Sequence, residues 1–313
     1  MPELPEVETI RAGLAPHLLG RRVVAATLRR PDLRWPIAAE IRDLLPGQRI
    51  DAVRRRAKYL LLDTAAGSAL LHLGMSGSLR VLPGDTPLRA HDHVDLALDS
   101  GCVLRFNDPR RFGCLLWQAP GAVHPLLAGL GPEPLSVESA AGGVSPEGAS
   151  CRVSEAVEGV APHGASSGDA AFSGAAFNGA AFNGNYLYAL SRGRRAPVKS
   201  FLMDQRVVVG VGNIYAAEAL FAAGISPRRA AGQVSRERYA RLAETVKAIL
   251  AHAITRGGTT LRDFISPDGA PGYFVQELSA YGRGGEPCTR CGRALKHALI
   301  GQRATVWCGH CQH

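Results

Sequence analysis

Four cysteines near the end of the chain fall into two identical knuckles, Cys288 with Cys291 and Cys308 with Cys311, separated by sixteen residues. Two C-x2-C pairs supply four thiolates, which close a tetrahedral zinc shell and leave no open position, so the metal they imply is structural. A pair of redox motifs is the competing reading, but the intervening GRALKHALIGQRATVW fits a metal-pinned β-hairpin better. His297 and His310 lie close by as bystanders, and Arg303 falls near the hairpin tip, where a guanidinium reaches a phosphate. A second signal is Gly210-Val-Gly-Asn213 ahead of IYAAEALF. Glycines before an Asn N-cap leave backbone N–H groups open at a helix start, an anion-binding geometry, although an ordinary turn has the same composition. The third signal is the start of the chain. A small second residue allows Met1 to be removed, which exposes the secondary amine of Pro2 beside the carboxylates of Glu3 and Glu6. Taken alone, PELPE reads first as a plain helix start.

The elements that position these groups are readable from periodicity. Residues 5–19 form a helix, with Pro5 at its first position, acidic Glu6 and Glu8 at its positive end, and Val7, Ile10, Leu14 and Leu18 at helical spacing; Gly20 ends it. From Arg22 to Trp117 short β-rich runs alternate with Gly, Pro and Asp turns, the pattern of a β-sandwich or barrel. Residues 136–184 are rich in Ala, Gly and Ser, end in AAFSG-AAFNG-AAFNG, and lack the large apolar residues a core needs; they read as a linker or inserted loop. Beyond them the chain is helical, through YLYALSR, VKSFLMDQ, the GVGN turn and a long helix from Arg236 to Ile254 with Tyr239, Leu242, Val246, Ile249 and Leu250 on one face. SPDGAPGYF, 266–274, is a loop. The fold class is therefore α+β, divided as 1–135 (N-terminal β-sandwich), 136–184 (acidic linker), 185–275 (helical domain) and 276–313 (zinc hairpin).

Composition bounds the partners. The 313 residues carry a net charge of +9, yet 136–184 holds five acids and one arginine, net −4, which leaves +13 on the remainder. That excess fits a polyanion such as DNA, and equally a merely basic protein. No apolar run approaches the roughly 18 residues of a membrane span, and an acidic start is unlike a signal peptide, so a cytoplasmic protein is expected. Arginines outnumber lysines 32 to 4. The remaining Lys58, Lys199, Lys247 and Lys296 stand out, because an amine exchanges protons where a guanidinium does not.

PELPEVET, RRRAKYLLL around Lys58, HLGMSGSLR, DPRRFG, GVGNIYAAEALF and the four-cysteine hairpin with QRAT occur in that order. Together they resemble the formamidopyrimidine-DNA glycosylase family over nearly the whole chain except about 136–181. The resemblance implies a bifunctional glycosylase and AP lyase of base excision repair, with a β-sandwich, a helix–two-turn–helix domain, one structural zinc ion on Cys288, Cys291, Cys308 and Cys311, and damaged double-stranded DNA in the cleft between domains. A monomer is expected. Pro2 then attacks C1′; Glu3 protonates the sugar oxygen, Glu6 positions the site, Lys58 serves β-elimination or holds the adjacent phosphate, and Arg303 assists δ-elimination. An α-amino group with a pKa near roughly 8 keeps a useful neutral fraction at cellular pH. Met75, Arg110 and Phe112 match the void-filling residues that replace an extruded base, although Met75 and Phe112 by themselves read as core. His91, Arg194, Lys199 and Asn213 match phosphate contacts, and the loop 259–274 covers the extruded base. Two alternatives stand: an endonuclease VIII-like branch acting on oxidised pyrimidines, and a noncatalytic zinc-ribbon binder of damaged DNA. The binder requires Pro2 blocked or Glu3 lost, and neither is seen.

Overall fold

A computed structural model describes residues 2–135, 181–258 and 277–313. The insertion with its AAFNG repeats, Cys151 and the 259–274 loop with SPDGAPGYF lie outside the described residues, apart from 181–184. The chain divides into two compact units, the first holding described residues 2–128 and 257–258, the second 129–135, 181–256 and 277–313.

In the first unit, α1 (Leu4–Leu18) buries Val7, Ile10, Leu14 and Leu18 along one face. It begins one residue earlier than Pro5 alone predicts, so Pro5 is the second helical residue, where its missing N–H is equally harmless. Leu19 caps it and Gly20 follows at φ +74°, the left-handed conformation that glycine adopts without cost. Two four-stranded antiparallel sheets follow. One has the order β1-β6-β7-β5, with β1 (Val23–Leu28), β5 (Ser78–Pro83), β6 (Asp92–Leu98) and β7 (Cys102–Asn107). The other has β2-β3-β4-β8, with β2 (Ala52–Arg56), β3 (Tyr59–Thr64), β4 (Gly67–His72) and β8 (Cys114–Gln118). A short α2 (Glu40–Asp43) precedes β2, and α3 (Pro125–Ala128) ends the unit. One apolar cluster joins both sheets to the helix, through Leu60, Leu71, Leu96, Leu104, Phe106 and the buried face of α1.

The second unit is helical: α4 (Gly184–Ser191), α5 (Val198–Leu202), α6 (Asn213–Ala222) and α7 (Arg236–Thr255). Asn183 caps α4 by accepting from Tyr186 N–H at 2.9 Å, and Ser235 caps α7. On α7 the buried face is Tyr239, Leu242, Ala243, Val246, Leu250 and Ala253. Ile249, assigned to that face by periodicity, is only half-buried. The N-cap of α6 is Gly212, and Asn213 is its first helical residue, a correction to the sequence reading. Its amide is thereby released from capping and donates to Ala304 O at 3.2 Å. The hairpin β9 (Lys296–Ile300) and β10 (Arg303–Trp307) pairs Arg303 with Ile300 across its turn.

Candidate functional site

At the start of α1, Glu3 is the N-cap, and Glu6 completes a capping box by accepting the Glu3 N–H at 2.8 Å. That bond fixes the backbone next to Pro2, which is half-buried, while Glu3 is only 3% exposed. Gly258 closes on the same point: its φ of +79° suits glycine, and a Cβ there would lie 3.1 Å from Glu6 Oε1.

Lys58, 7% exposed, sits at the tip of the β2–β3 hairpin, where Arg56 pairs with Tyr59 and only Ala57 and Lys58 make the turn. Ala57 adopts φ +55°, a conformation that costs an L-residue about 1–2 kcal/mol, so the turn carrying the ammonium is strained. The hairpin is tied to α1. Arg55 Nε donates to Glu8 Oε2 at 2.8 Å and its Nη1 donates to Ala57 O at 3.0 Å, while Arg11 holds the other Glu8 oxygen at 2.6 Å. The helix that follows Pro2 and Glu3 is therefore hydrogen-bonded through Glu8 to the hairpin whose turn bears Lys58.

Tyr59 lies opposite His72 on β4, the two rings 4.8 Å apart. Burial, then the charges of Lys58 and Arg34, push the His72 imidazole down to about 4. Its Nδ1 accepts from Gly74 N–H at 2.9 Å, which leaves the proton on Nε2. The sequence reading missed His72; the strand register beside Lys58 was the signal that could have found it.

Met75 and the turn 108–113 lie together. A Cβ on Gly74, at φ +65°, would fall 2.3 Å from the Phe112 carbonyl carbon, so the two loops are in backbone contact. Met75 is half-buried, whereas Phe112 is 43% exposed and thus no core residue. Arg110 stacks on the Phe112 ring at 4.6 Å. His91 is exposed at φ +70°. The first unit thus gathers Pro2, Glu3, Glu6 and Lys58 around α1, and Met75, Arg110 and Phe112 at one loop pair.

In the second unit, the four cysteine sulfurs lie within 4.8 Å of one another. The Cys291–Cys308 and Cys288–Cys311 sulfurs stand 3.5 and 4.0 Å apart, too far for a disulfide at about 2.05 Å, and matching the roughly 3.8 Å edges of a tetrahedron with Zn–S near 2.3 Å. Arg290 N–H and Cys311 N–H donate to Cys288 and Cys308 sulfurs, as zinc knuckles require of ligands carrying negative charge. The convergence of all four sulfurs, from both knuckles, on one point fits a zinc site. Phe221 of α6 packs with Leu295 and Val306 around the knuckles, so the cluster is built into the helical unit.

Lys199, expected at a phosphate, is packed beneath β10. It is 1% exposed, and its ammonium donates to Thr305 Oγ1 at 2.6 Å and Ala304 O at 3.1 Å on β10, rather than pointing outward. Asn213 donates to the same Ala304 carbonyl. Arg303 itself is exposed at the start of β10. Arg194 donates to Leu190 O at 2.9 Å and lies 5.3 Å from the Phe201 ring.

Three family descriptions match the chain in order: the formamidopyrimidine-DNA glycosylase N-terminal domain over 1–115, the H2TH domain of that glycosylase over 176–265, and a zinc finger found in FPG and IleRS over 285–313. A formamidopyrimidine-DNA glycosylase of Stenotrophomonas maltophilia is 69% identical over 312 residues, covering all of both chains. The crystal structure of the MutM (Fpg) protein of Thermus thermophilus is 35% identical, covers 99% of this chain and 98% of its own, and has a TM-score of 0.77. Lactococcus lactis Fpg has been solved with DNA containing Fapy-dG (26% identical, covering 99% of this chain and 100% of its own, TM-score 0.78) and with DNA containing an oxidised pyrimidine (27%, 100% of both, TM-score 0.78).

Proposed function

The chain belongs to the formamidopyrimidine-DNA glycosylase family, and from that premise we propose that it excises oxidised purines from double-stranded DNA through a covalent intermediate on Pro2 and then cleaves the strand. The nitrogen lone pair of Pro2 attacks C1′ as the bond to the base breaks. The sugar ring opens, and Glu3 delivers a proton to the departing ring oxygen. A secondary amine yields an iminium with no N–H to lose, so the adduct stays cationic and acts as the electron sink for β-elimination. Lys58 serves that step at the adjacent phosphate, and Arg303 assists δ-elimination. Glu6 acts on none of these atoms; it holds the Glu3 backbone, and hence Pro2, in place.

The observation that supports this reading is the Glu8–Arg55–Ala57 tie between the helix that follows Pro2 and Glu3 and the turn that carries Lys58, with Glu3 and Lys58 both buried. A buried acid beside the amine in sequence and a buried cation on a turn tied to the same helix are what an iminium mechanism calls for and a DNA-binding ribbon does not. Cys288, Cys291, Cys308 and Cys311 hold one zinc ion, which supplies folding energy to the hairpin carrying Arg303. Met75, Arg110 and Phe112 fill the stack vacated by the extruded base, and His91, Arg194 and Asn213 contact phosphates. The division into a catalytic β-sandwich (1–135), an acidic linker (136–184), a helix–two-turn–helix domain (185–275) and a zinc hairpin (276–313) belongs to the same reading, as does a cytoplasmic monomer. Among the described residues no helix is long and apolar enough to cross a membrane.

The test is borohydride trapping on DNA containing 8-oxoguanine, followed by peptide mapping. The crosslink is expected on the N-terminal peptide; a crosslink on Lys58, or none, overturns the mechanism. The Lactococcus lactis complex with oxidised-pyrimidine DNA gives a second reading its footing. Faster excision of 8-oxoguanine opposite cytosine than of thymine glycol is expected, and the reverse order moves the chain to the pyrimidine branch.

A further inference from the structure

Asp108 is fully buried, and every polar atom it owns is engaged. Its Oδ1 accepts from Ser76 Oγ at 2.7 Å, and Oδ2 accepts from Gly113 N–H at 2.8 Å. Its carbonyl accepts from His93 Nε2 at 2.9 Å and from Arg111 N–H at 3.2 Å, and its own N–H donates to His91 O at 3.1 Å. Ser76 extends the set by accepting from Arg110 N–H at 3.2 Å. Three separate segments thus meet on one residue: the loop with Met75, the turn with Arg110 and Phe112, and the strand entry with His91. Two of these segments hold residues in left-handed conformations, His91 at +70° and Arg111 at +54°, which persist only when their surroundings over-determine them.

We infer that Asp108 is the positioning residue that holds Met75, Arg110 and Phe112 in one register with His91, so that the wedge enters DNA preformed. The inference rests on the void-filling reading of those three residues. Asp108 touches no reacting atom in this account. Its carboxylate is required rather than an amide because both oxygens face donors. In Asp108→Asn one oxygen can still accept from Gly113 N–H, but the NH2 then faces Ser76 Oγ. That hydroxyl already accepts from Arg110 and loses the acceptor for its own proton. The loop with Met75 and the turn with Arg110 are thereby uncoupled, while Pro2, Glu3 and Lys58 on other elements are untouched.

Wild type, Asp108→Asn, Ser76→Ala and a triple variant (Met75→Ala, Arg110→Ala, Phe112→Ala) are compared in two single-turnover assays. One is excision of 8-oxoguanine from duplex DNA. The other is cleavage of an abasic site in single-stranded DNA, which presents no vacated stack to fill. The ratio of the first rate to the second is expected to fall about tenfold or more in Asp108→Asn, as the loss of one charge-assisted hydrogen bond implies, and less in Ser76→Ala. If the triple variant keeps the wild-type ratio, the wedge reading fails. If the triple variant loses the ratio while Asp108→Asn keeps it, or slows both reactions in parallel, the role given to Asp108 is overturned. Should Asp108→Asn not fold, Ser76→Ala carries the same decision, with an unchanged ratio as the refuting result.

Discussion

Replacing Lys199 by Met separates two accounts of one buried cation. The side chain is 1% exposed, and its ammonium holds Thr305 Oγ1 at 2.6 Å and Ala304 O at 3.1 Å. Charge-assisted hydrogen bonds are worth about 1.5–3 kcal/mol each, but methionine also relieves the cost of burying a charge, and neither acceptor is left with nothing to bond. Ala304 O keeps the Asn213 amide at 3.2 Å, and Thr305 Oγ1 still donates to Arg303 O at 3.0 Å. The net loss is therefore near the lower end, about 2 kcal/mol, or roughly 4–8 °C in a melting experiment at about 2–4 °C per kcal/mol. Because Thr305 bonds the backbone of Arg303, slackening this corner displaces the guanidinium assigned to δ-elimination. Gel analysis of the cleaved strand should then show β-elimination product accumulating at the expense of δ-product, with the salt dependence of DNA binding unchanged. An unchanged melting temperature and product ratio, together with a salt slope shallower by about 0.9, would show that Lys199 meets a phosphate instead and would refute the structural account.

The His72 imidazole, pushed down to about 4 by burial and then by Lys58 and Arg34, should remain neutral in an NMR titration of the free protein until well below pH 6.5. The sign follows from linkage: the unfolded chain takes up the proton first, near 6.5. The contribution to stability is thus complete above that pH and is lost as pH falls through 4, by up to ~3 kcal/mol; His72→Gln should flatten urea-unfolding midpoints across that window. Chelation should release one zinc ion per chain, melt the β9–β10 hairpin and weaken DNA binding, because the energy of a structural zinc site is folding energy. Release of zinc with the hairpin intact by hydrogen exchange would contradict that coupling.

The apolar spacing of α1 and the cysteine spacing are local patterns, and the structure keeps both: Val7, Ile10, Leu14 and Leu18 form one buried face, and the four sulfurs converge. Side-chain partners far apart in sequence are another matter. His72 matters through its register with Tyr59. Asp108 matters through Ser76, thirty-two positions away, a partner that the DPRRFG motif around it does not reveal. Asn213 reads as a cap from its local pattern, yet its amide donates to the Ala304 carbonyl, ninety-one residues on.

The four lysines divide by burial rather than by composition. In a chain with 32 arginines, the four lysines stand out as amines able to exchange protons. Lys247 is ordinary surface paired with Glu244, and Lys296 is exposed. Lys58 and Lys199 are the two buried ones, and only Lys58 lies in the unit that holds Pro2. What the buried pair share is geometry. A compact ammonium on a flexible stem aims its donors into a site where a planar guanidinium, with five donors to satisfy, leaves some unpaired. On that ground Lys199→Arg should cost more stability than Lys199→Met despite keeping the charge, since the larger fork must either displace β10 or strand donors in the interior. Melting the two variants side by side decides it, and an arginine variant as stable as wild type would return the lysines to chance.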